Sequence, residues 1–170
     1  RAPAADAVPR GTPVYDDALL LTEALLLTEW YLPAVSGQSA TEAAVAAYRD
    51  VWAELLPRAR HVPDTLVLRD FHVDNLMRIA EREGTAACGL LDFQDAMRGH
   101  AAYDLVSVLQ DARRDVPAKT EIAIRDRYIA AMHLDPGAVA TAYALLGAQR
   151  NRRILGVFAR PCVGAGWAVH

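Results

Sequence analysis

The pattern of apolar and polar residues predicts helices towards both ends of the chain, with short strands between them. Residues 16–33, DDALLLTEALLLTEWYLP, are strongly apolar, and Asp16 or Asp17 is suited to cap a helix that ends near Pro33. Residues 41–56 place apolar side chains at helical spacing and predict a second helix. The spaced positions of this second helix are Val45, Tyr48, Trp52 and Leu55.

Three further helices are predicted after residue 100. They cover residues 103–114, 117–134 and 136–160; Asp135 caps the last of them and Pro161 ends it. The first carries Leu105, Val106, Leu109 and Ala112 inward, and the apolar positions of the second are Ile122, Ile124, Tyr128, Ile129 and Met132.

The middle of the chain has the pattern of strands joined by a turn. The strand LVL at residues 66–68 is followed by a polar loop, the short strand NLMRI, a charged turn and the return strand AACGLLDF. Gly84 lies in the turn, where a positive φ is expected. Residues 94–104 are predicted to be irregular, with Gly99 as a breaker. The predicted fold class is therefore α+β, predominantly α.

Composition narrows the class of protein. A net charge of −3 over 170 residues argues against a nucleic-acid binder, which needs a basic face. The longest apolar stretch, residues 18–32, contains Glu23 and Glu29, so it is interpreted as a buried helix and not as a membrane span. No interaction with a membrane is expected. Cys88 and Cys162 lack a metal-ligand spacing and are interpreted as reduced core thiols of a cytoplasmic protein.

Polar residues at the ends of the central strands indicate phosphoryl-transfer chemistry. Asp70 is followed by Asn75 in RDFHVDN, and Asp92-Phe93 closes the following hairpin, which is the general arrangement of a kinase. Asp70 is predicted to be the base that accepts the substrate hydroxyl's proton. Asn75 and Asp92 are predicted to hold Mg²⁺, a hard cation that prefers oxygen ligands, and through it to bind ATP or another nucleoside triphosphate.

Two segments carry a resemblance to a known family. LVLRDFHVDNLM and GLLDFQDAMRGHAAYDLVSVLQDARR resemble the catalytic and metal-binding loops of the aminoglycoside phosphotransferase and choline kinase-like family. The likeness is closer to its bacterial sugar kinases, which phosphorylate N-acetylmuramate and N-acetylglucosamine at the anomeric position. TEWYLPA and QRNRRILGVFAR also resemble that branch.

The resemblance implies the C-terminal lobe of a protein-kinase-like fold. Residues 15–170 would form this lobe, with the catalytic loop at 68–76 and the metal loop at 90–95. Residues 1–14, rich in Ala and Pro, would be a linker from an N-terminal lobe that lies upstream of Arg1.

Two departures from the family pattern qualify this expectation. Leu68-Arg69 stands where the family usually has His-Gly before the catalytic Asp, a position that mostly supports the loop. The chain has no Gly-rich phosphate loop, and its single lysine, Lys119, follows the catalytic segment. The isolated chain is therefore expected to catalyse poorly or not at all.

Several other polar residues are assigned supporting roles. Arg69, His72 and Asp104 are expected to support the catalytic loop, Asp104 by bracing it through backbone hydrogen bonds, by capping the following helix, or both. Arg150, Arg152 and Arg153 are interpreted as a solvated face. The weaker candidates for substrate contacts are Asp74, Asp95, Arg113 and Trp30.

Two other functions stay open beside a kinase acting on a small-molecule hydroxyl. One is a non-catalytic, kinase-like binding module, which the missing lysine and glycine loop favour. The other is a metal-dependent hydrolase using Asp70, His72, Asp74 and Asp92, in which His72 would ligate the metal. In either kinase-like case, the surface facing a second lobe would be apolar, so self-association is expected.

Overall fold

The computed structural model describes residues 8–164, and side chains up to Pro161. Within this range the chain is helix-dominated α+β, with two small antiparallel sheets. The α-helices are α1 (Asp17–Leu26), α2 (Leu32–Ser36), α3 (Glu42–Leu55), α4 (Ala102–Leu109), α5 (Ala118–Met132) and α6 (Pro136–Gly164). The strands are β1 (Asp64–Val67), β2 (Leu76–Arg78), β3 (Cys88–Leu90) and β4 (Met97–His100).

The first helical stretch is longer than predicted. The Asp16 side chain caps α1, a π-helical segment at Leu27–Tyr31 joins α1 to α2, and the stretch ends at Gly37 with φ 71°. The prediction of an end near Pro33 was wrong because the wider π turn precedes this proline and accommodates its ring. Of the residues described, 17–36 alone are long and apolar enough to cross a membrane; buried core helices have the same property.

The first sheet contains a strand that the sequence did not reveal. β1 pairs antiparallel with β4, and Val14 forms a parallel bridge with Arg98 on the other side of β4. Gly99 is therefore a strand residue, and its prediction as a breaker was wrong. A Cβ at Gly99 would lie 3.0 Å from the Cβ of Tyr15, so glycine permits the close approach of the two backbones.

The second sheet is the predicted hairpin. β2 pairs antiparallel with β3, and Gly84 adopts a φ of 57° in the turn, as expected. Cys88 is exposed, so its interpretation as a core thiol was wrong; the side chain of Cys162 lies outside the described residues. Strand β3 has its side chains exposed at Cys88 and Leu90 because no second layer of described residues covers them.

The C-terminal helices differ from prediction at their ends. Helix α4 stops at Leu109, and Ala112 is exposed beyond it. On α5, Ile122 and Ile124 are exposed. Helix α6 starts after Asp135, whose side chain accepts a hydrogen bond from Ala138 N, but continues through Pro161. Proline lacks the N–H that would bond the Val157 carbonyl, so the helix continues past Pro161 without that hydrogen bond.

The core lies where α1, α4 and α6 meet. Its largest fully buried side chains include Tyr15, Leu20, Tyr103 and Leu146. The Gln149 side chain donates to the Leu20 carbonyl across 2.9 Å, and a Cβ at Gly156 would lie 2.5 Å from Leu26. The close crossing of α6 over the first helical stretch fixes the arginine-bearing part of α6 beside the polar loop after β1.

Candidate active site

The loop after β1 is held by a carboxylate from α4. Asp104 accepts hydrogen bonds from the backbone N–H groups of Leu68 (2.7 Å) and Arg69 (3.0 Å). Burial raises the pKa of Asp104 to about 6, although these two hydrogen bonds act in the opposite direction. Asp104 therefore fixes the backbone of the two residues that precede Asp70, while Ala101 is the N-cap residue of α4.

Arg69 adopts a left-handed conformation with φ 68°. This is the position at which the family resemblance expects glycine, which enters that region without steric cost. The Arg69 guanidinium pairs with Glu23 at 2.5 Å and lies over the Tyr15 ring at 5.1 Å from its centroid. These contacts compensate for the backbone strain, and they require the arginine side chain.

Glu23 is a buried acid in the apolar helix α1, and it contacts several polar side chains of the site. Its second carboxylate oxygen pairs with Arg153 Nε at 3.2 Å and accepts a short hydrogen bond from the Tyr15 hydroxyl. Burial, with Tyr103 and Glu23 nearby, raises the pKa of Tyr15, so this hydroxyl stays protonated and donates. Glu23 and Tyr15 were not predicted as site residues; the only signal was a charge inside an apolar helix.

Asn75 and Asp92 lie side by side at the open end of the hairpin. Leu91 N donates to the Asn75 carbonyl across 2.9 Å, which places Asp92 directly beyond this pair. The Asn75 side-chain amide donates to the Asp70 carbonyl at 2.9 Å, so its Oδ1 faces away from that bond. Asp92 has φ 55°, and one of its oxygens accepts from Gln94 at 2.6 Å.

The side-chain oxygens of Asn75 and Asp92 are suitable ligands for a hard divalent cation. The Asn75 Oδ1 and the second Asp92 oxygen are oxygen ligands of the kind that Mg²⁺ prefers, and Mg²⁺ commonly takes only one or two protein ligands. No cluster of three or more His, Cys, Asp or Glu residues that could hold a metal occurs within the described part of the chain. The arrangement therefore suits a Mg²⁺ ion that takes its remaining ligands from phosphate and water, and it is less suited to an ion coordinated by protein side chains alone.

A cleft of about 280 Å³ opens beside Asp70. Loop residues on one side and residues of α6 on the other form its lining. The loop residues are Asp70, His72, Asp92, Ala112 and Arg113, and the residues of α6 are Arg150, Arg153, Ile154, Val157 and Phe158. The Arg153 Nη1 lies 3.9 Å from the Asp70 Oδ1, and the Asp70 side chain is 46% exposed. The acid proposed as a base is thus open to a ligand and flanked by an arginine.

The interpretation of Arg150 and Arg153 as a solvated face was wrong. Arg150 is 3% exposed and the Arg153 side chain 17% exposed, whereas Arg152 is exposed. A signal was available in the sequence, because positions 150, 153, 154 and 157 follow the i, i+3, i+4, i+7 spacing of one helix face. Arginine at two positions of an otherwise apolar face marks a polar site within the core.

His72 packs beneath the loop. It is 8% exposed, and its Nε2 lies 3.3 Å from the Asn75 amide nitrogen. Because the amide donates, Nε2 accepts in this contact. This geometry suits a residue that orients Asn75.

Of the four weaker candidates for substrate contacts, one lines the cleft and three do not. Arg113 lines the cleft and pairs with Asp111 at 3.6 Å. Asp74 is exposed and pairs with Arg114 at 2.5 Å. Asp95 is exposed in the turn after Asp92, and Trp30 packs against Arg160 of α6, whose guanidinium lies 5.5 Å from the ring centroid. Trp30, Asp74 and Asp95 are absent from the lining of the cleft.

Comparison with known proteins shows which family the chain belongs to. The chain is 44% identical to an N-acetylmuramate/N-acetylglucosamine kinase of Caulobacter vibrioides over 149 residues, which is 86% of this chain and 40% of the relative. Proteins of the same name from Pseudomonas putida and Neisseria meningitidis are 36% and 32% identical, over 88% and 87% of this chain and 45% of each relative. The chain thus spans less than half the length of these relatives. Residues 3–143 match the phosphotransferase enzyme family, and the chain belongs to that family.

Proposed function

We propose that this chain forms the acceptor-binding and metal-binding part of an ATP-dependent kinase that phosphorylates a hydroxyl of an amino sugar. The observation that carries the proposal is the convergence of Asp70, Asn75 and Asp92 at one end of the β2–β3 hairpin, with Asp70 and Asp92 both lining one cleft. The class of acceptor is taken from the names of the relatives, which act on N-acetylmuramate and N-acetylglucosamine.

In this proposal, the exposed Asp70 carboxylate accepts the proton of the attacking hydroxyl. Positioning and charge stabilisation supply most of the catalysis in phosphoryl transfer, so the protein needs few reactive groups. Asn75 and Asp92 would hold Mg²⁺, which neutralises phosphate charge when ATP is bound. Arg153 attracts the Asp70 carboxylate from 3.9 Å and, held by Glu23, limits its orientations.

The proposed fold is the C-terminal lobe of a protein-kinase-like enzyme. Exposed apolar side chains of the hairpin and its flanking loops support this, because five of them are each at least 42% exposed: Val73, Met77, Leu90, Leu91 and Phe93. In the register of the hairpin, Met77 and Leu91 lie on one face and Leu90 on the other. Exposed apolar surface is typical of an interface. We propose that the hairpin receives a nucleotide-binding lobe, and that its exposed apolar surface drives self-association when uncovered. The exposed thiol of Cys88 suits a reducing, cytoplasmic compartment.

The test is Asp70→Asn in the polypeptide expressed from the complete coding sequence. Loss of a general base slows transfer by about 10²- to 10⁴-fold, so kcat should fall within this range while the dissociation constant of the sugar changes little. Product formation from ATP and N-acetylglucosamine would be followed by ³¹P NMR.

The matched control is Asp50→Asn, the same chemical change at an exposed position of α3. It should leave kcat within about twofold, the size expected for a surface change. Near-normal turnover in Asp70→Asn would refute the assignment of the base. Absence of transfer to either amino sugar by the unaltered polypeptide would refute the function itself.

A further inference from the structure

Arg150 is a buried cation with no ion-pair partner among the described residues. It is 3% exposed, and its Nε and Nη1 atoms are buried with no hydrogen-bond acceptor. No carboxylate oxygen of a described residue forms an ion pair with it within 4.0 Å, whereas Arg153 on the same helix pairs with Glu23. Burial lowers the pKa of Arg150. A guanidinium left in this state destabilises the fold. Its presence here is explained if it binds a ligand.

Arg150 is available to a ligand in the cleft. The neighbouring arginines are already engaged, since Arg113 pairs with Asp111 at 3.6 Å and Arg153 with Glu23. Arg150 contributes to the lining of the cleft together with Asp70. An acceptor bound with a hydroxyl at Asp70 would therefore present its other substituents to Arg150 and to the apolar residues Ile154 and Val157.

We propose that Arg150 is the anion-binding residue of the acceptor site, and that it binds the carboxylate of an acidic amino sugar. This rests on the proposed function. The two sugars in the names of the relatives differ by a lactyl ether, which carries one carboxylate and one methyl group. A guanidinium fork matches a carboxylate with two parallel hydrogen bonds, and the apolar wall of α6 suits the methyl group. A transferred phosphoryl group is the other oxyanion that could reach the same cleft.

The test compares Arg150→Met and Arg150→Lys with Arg152→Met in the polypeptide expressed from the complete coding sequence. Arg152 is a matched control because it lies on the same helix, is exposed and donates a hydrogen bond to the Ala148 carbonyl. The measured quantity is the ratio of kcat/KM for N-acetylmuramate to that for N-acetylglucosamine. Arg150→Met should lower this ratio by about 10- to 100-fold, the loss expected for a charge-assisted pair.

Arg150→Lys should restore part of the ratio, because it keeps the charge without the fork, and Arg152→Met should leave it unchanged. Thermal unfolding separates a structural role from a binding role. A buried cation without an ion pair costs desolvation free energy in the folded state, so Arg150→Met should keep or raise Tm in the absence of sugar. N-acetylmuramate should raise the Tm of the unaltered protein more than that of the variant.

Three results would overturn the proposal. An equal loss of kcat/KM for both sugars would assign Arg150 to the phosphoryl group. Unchanged kcat/KM values for both sugars would remove it from recognition of the carboxylate. Unchanged values with a lowered Tm would make it a structural partner of Asp111, whose Oδ2 is also buried without a partner among the described residues. The Tm shifts need no catalysis, so they test this inference even if no phosphoryl transfer is found.

Discussion

Replacement of Asp104 by Asn separates the hydrogen bonds of this carboxylate from its charge. The two side chains have the same shape, and the carboxylate accepts from the N–H groups of Leu68 and Arg69 at 2.7 and 3.0 Å. The amide of the variant accepts only one of these bonds and turns an NH₂ group towards the other N–H. Asp104→Asn therefore loses one brace of the catalytic loop and brings two donors together.

Two free-energy terms of opposite sign decide the effect on stability. A hydrogen bond to a charged acceptor contributes about 1.5–3 kcal/mol, which the variant loses only at a pH where Asp104 is ionised. Burial raises the pKa of Asp104 from its ordinary 3.8 to about 6. At roughly 1.4 kcal/mol per pKa unit, ionising this carboxyl in the fold costs about 3 kcal/mol at pH 7, a cost that the amide avoids.

The sign of the pH dependence follows from proton binding. Between pH 3.8 and about 6 the folded protein holds this proton more tightly than the unfolded chain. The stabilisation from Asp104 is therefore complete below pH 3.8 and is lost as the pH rises through 6. At pH 4 both side chains are neutral in the fold and have the same shape, so we expect Asp104→Asn and the parent to have similar stability. By pH 7 the parent should have lost roughly 3 kcal/mol relative to Asp104→Asn, because the amide does not titrate.

The assay is urea unfolding of both proteins at pH 4, 5, 6 and 7, with Asp126→Asn as a control at an exposed position of α5. The control should show no comparable change with pH. In the kinase assay at pH 7, Asp104→Asn should lower kcat by about 10²-fold, because the backbone before Asp70 shifts. If the stability of the parent relative to Asp104→Asn is constant across this pH range, or rises with pH, the reasoning is refuted.

Two further substitutions test the backbone around the loop. Arg69→Gly should be more stable to urea than Arg69→Ala by about 1 kcal/mol, because φ 68° disfavours any residue with a Cβ; the opposite order, usual in helices and strands, would show that the left-handed conformation is not maintained. Gly99→Ala should lower the free energy of unfolding by about 1–3 kcal/mol, because its Cβ would lie 3.0 Å from Tyr15. Gly89→Ala, whose nearest contact is 3.4 Å, should be nearly neutral, and equal effects at the two glycines would contradict the close approach.

Local signals in the sequence predicted the helix starts and the hairpin. Asp16, Thr41 and Asp135 each accept a hydrogen bond from a backbone N–H in the first turn, as capping residues do. Gly84 has the positive φ that its turn requires. These features depend on residues within four positions of each other, so the sequence pattern contains what is needed to predict them.

Features that depend on distant parts of the chain could not be predicted in this way. Strand β4 has no alternating pattern, and it exists because β1 and Val14 supply its partners on either side. The spacing of positions 150, 153, 154 and 157 indicates one face of a helix, but the depth to which Arg150 is buried depends on how closely α6 crosses the first helical stretch at Gly156. Both are set by tertiary packing, which overrides the local tendencies of irregular or charged segments.

Glu23 explains why these distant parts meet at Asp70. One of its oxygens binds Arg69, the residue before Asp70, and the other binds Arg153, which faces the Asp70 carboxylate. A single buried acid on α1 thus fixes the backbone of the loop through one arginine and the orientation of Asp70 through another. The strained Arg69 follows from the same arrangement, since glycine would relieve the strain but would release Glu23 on that side. The charge that interrupts the apolar helix is therefore accounted for by the site that the helix supports.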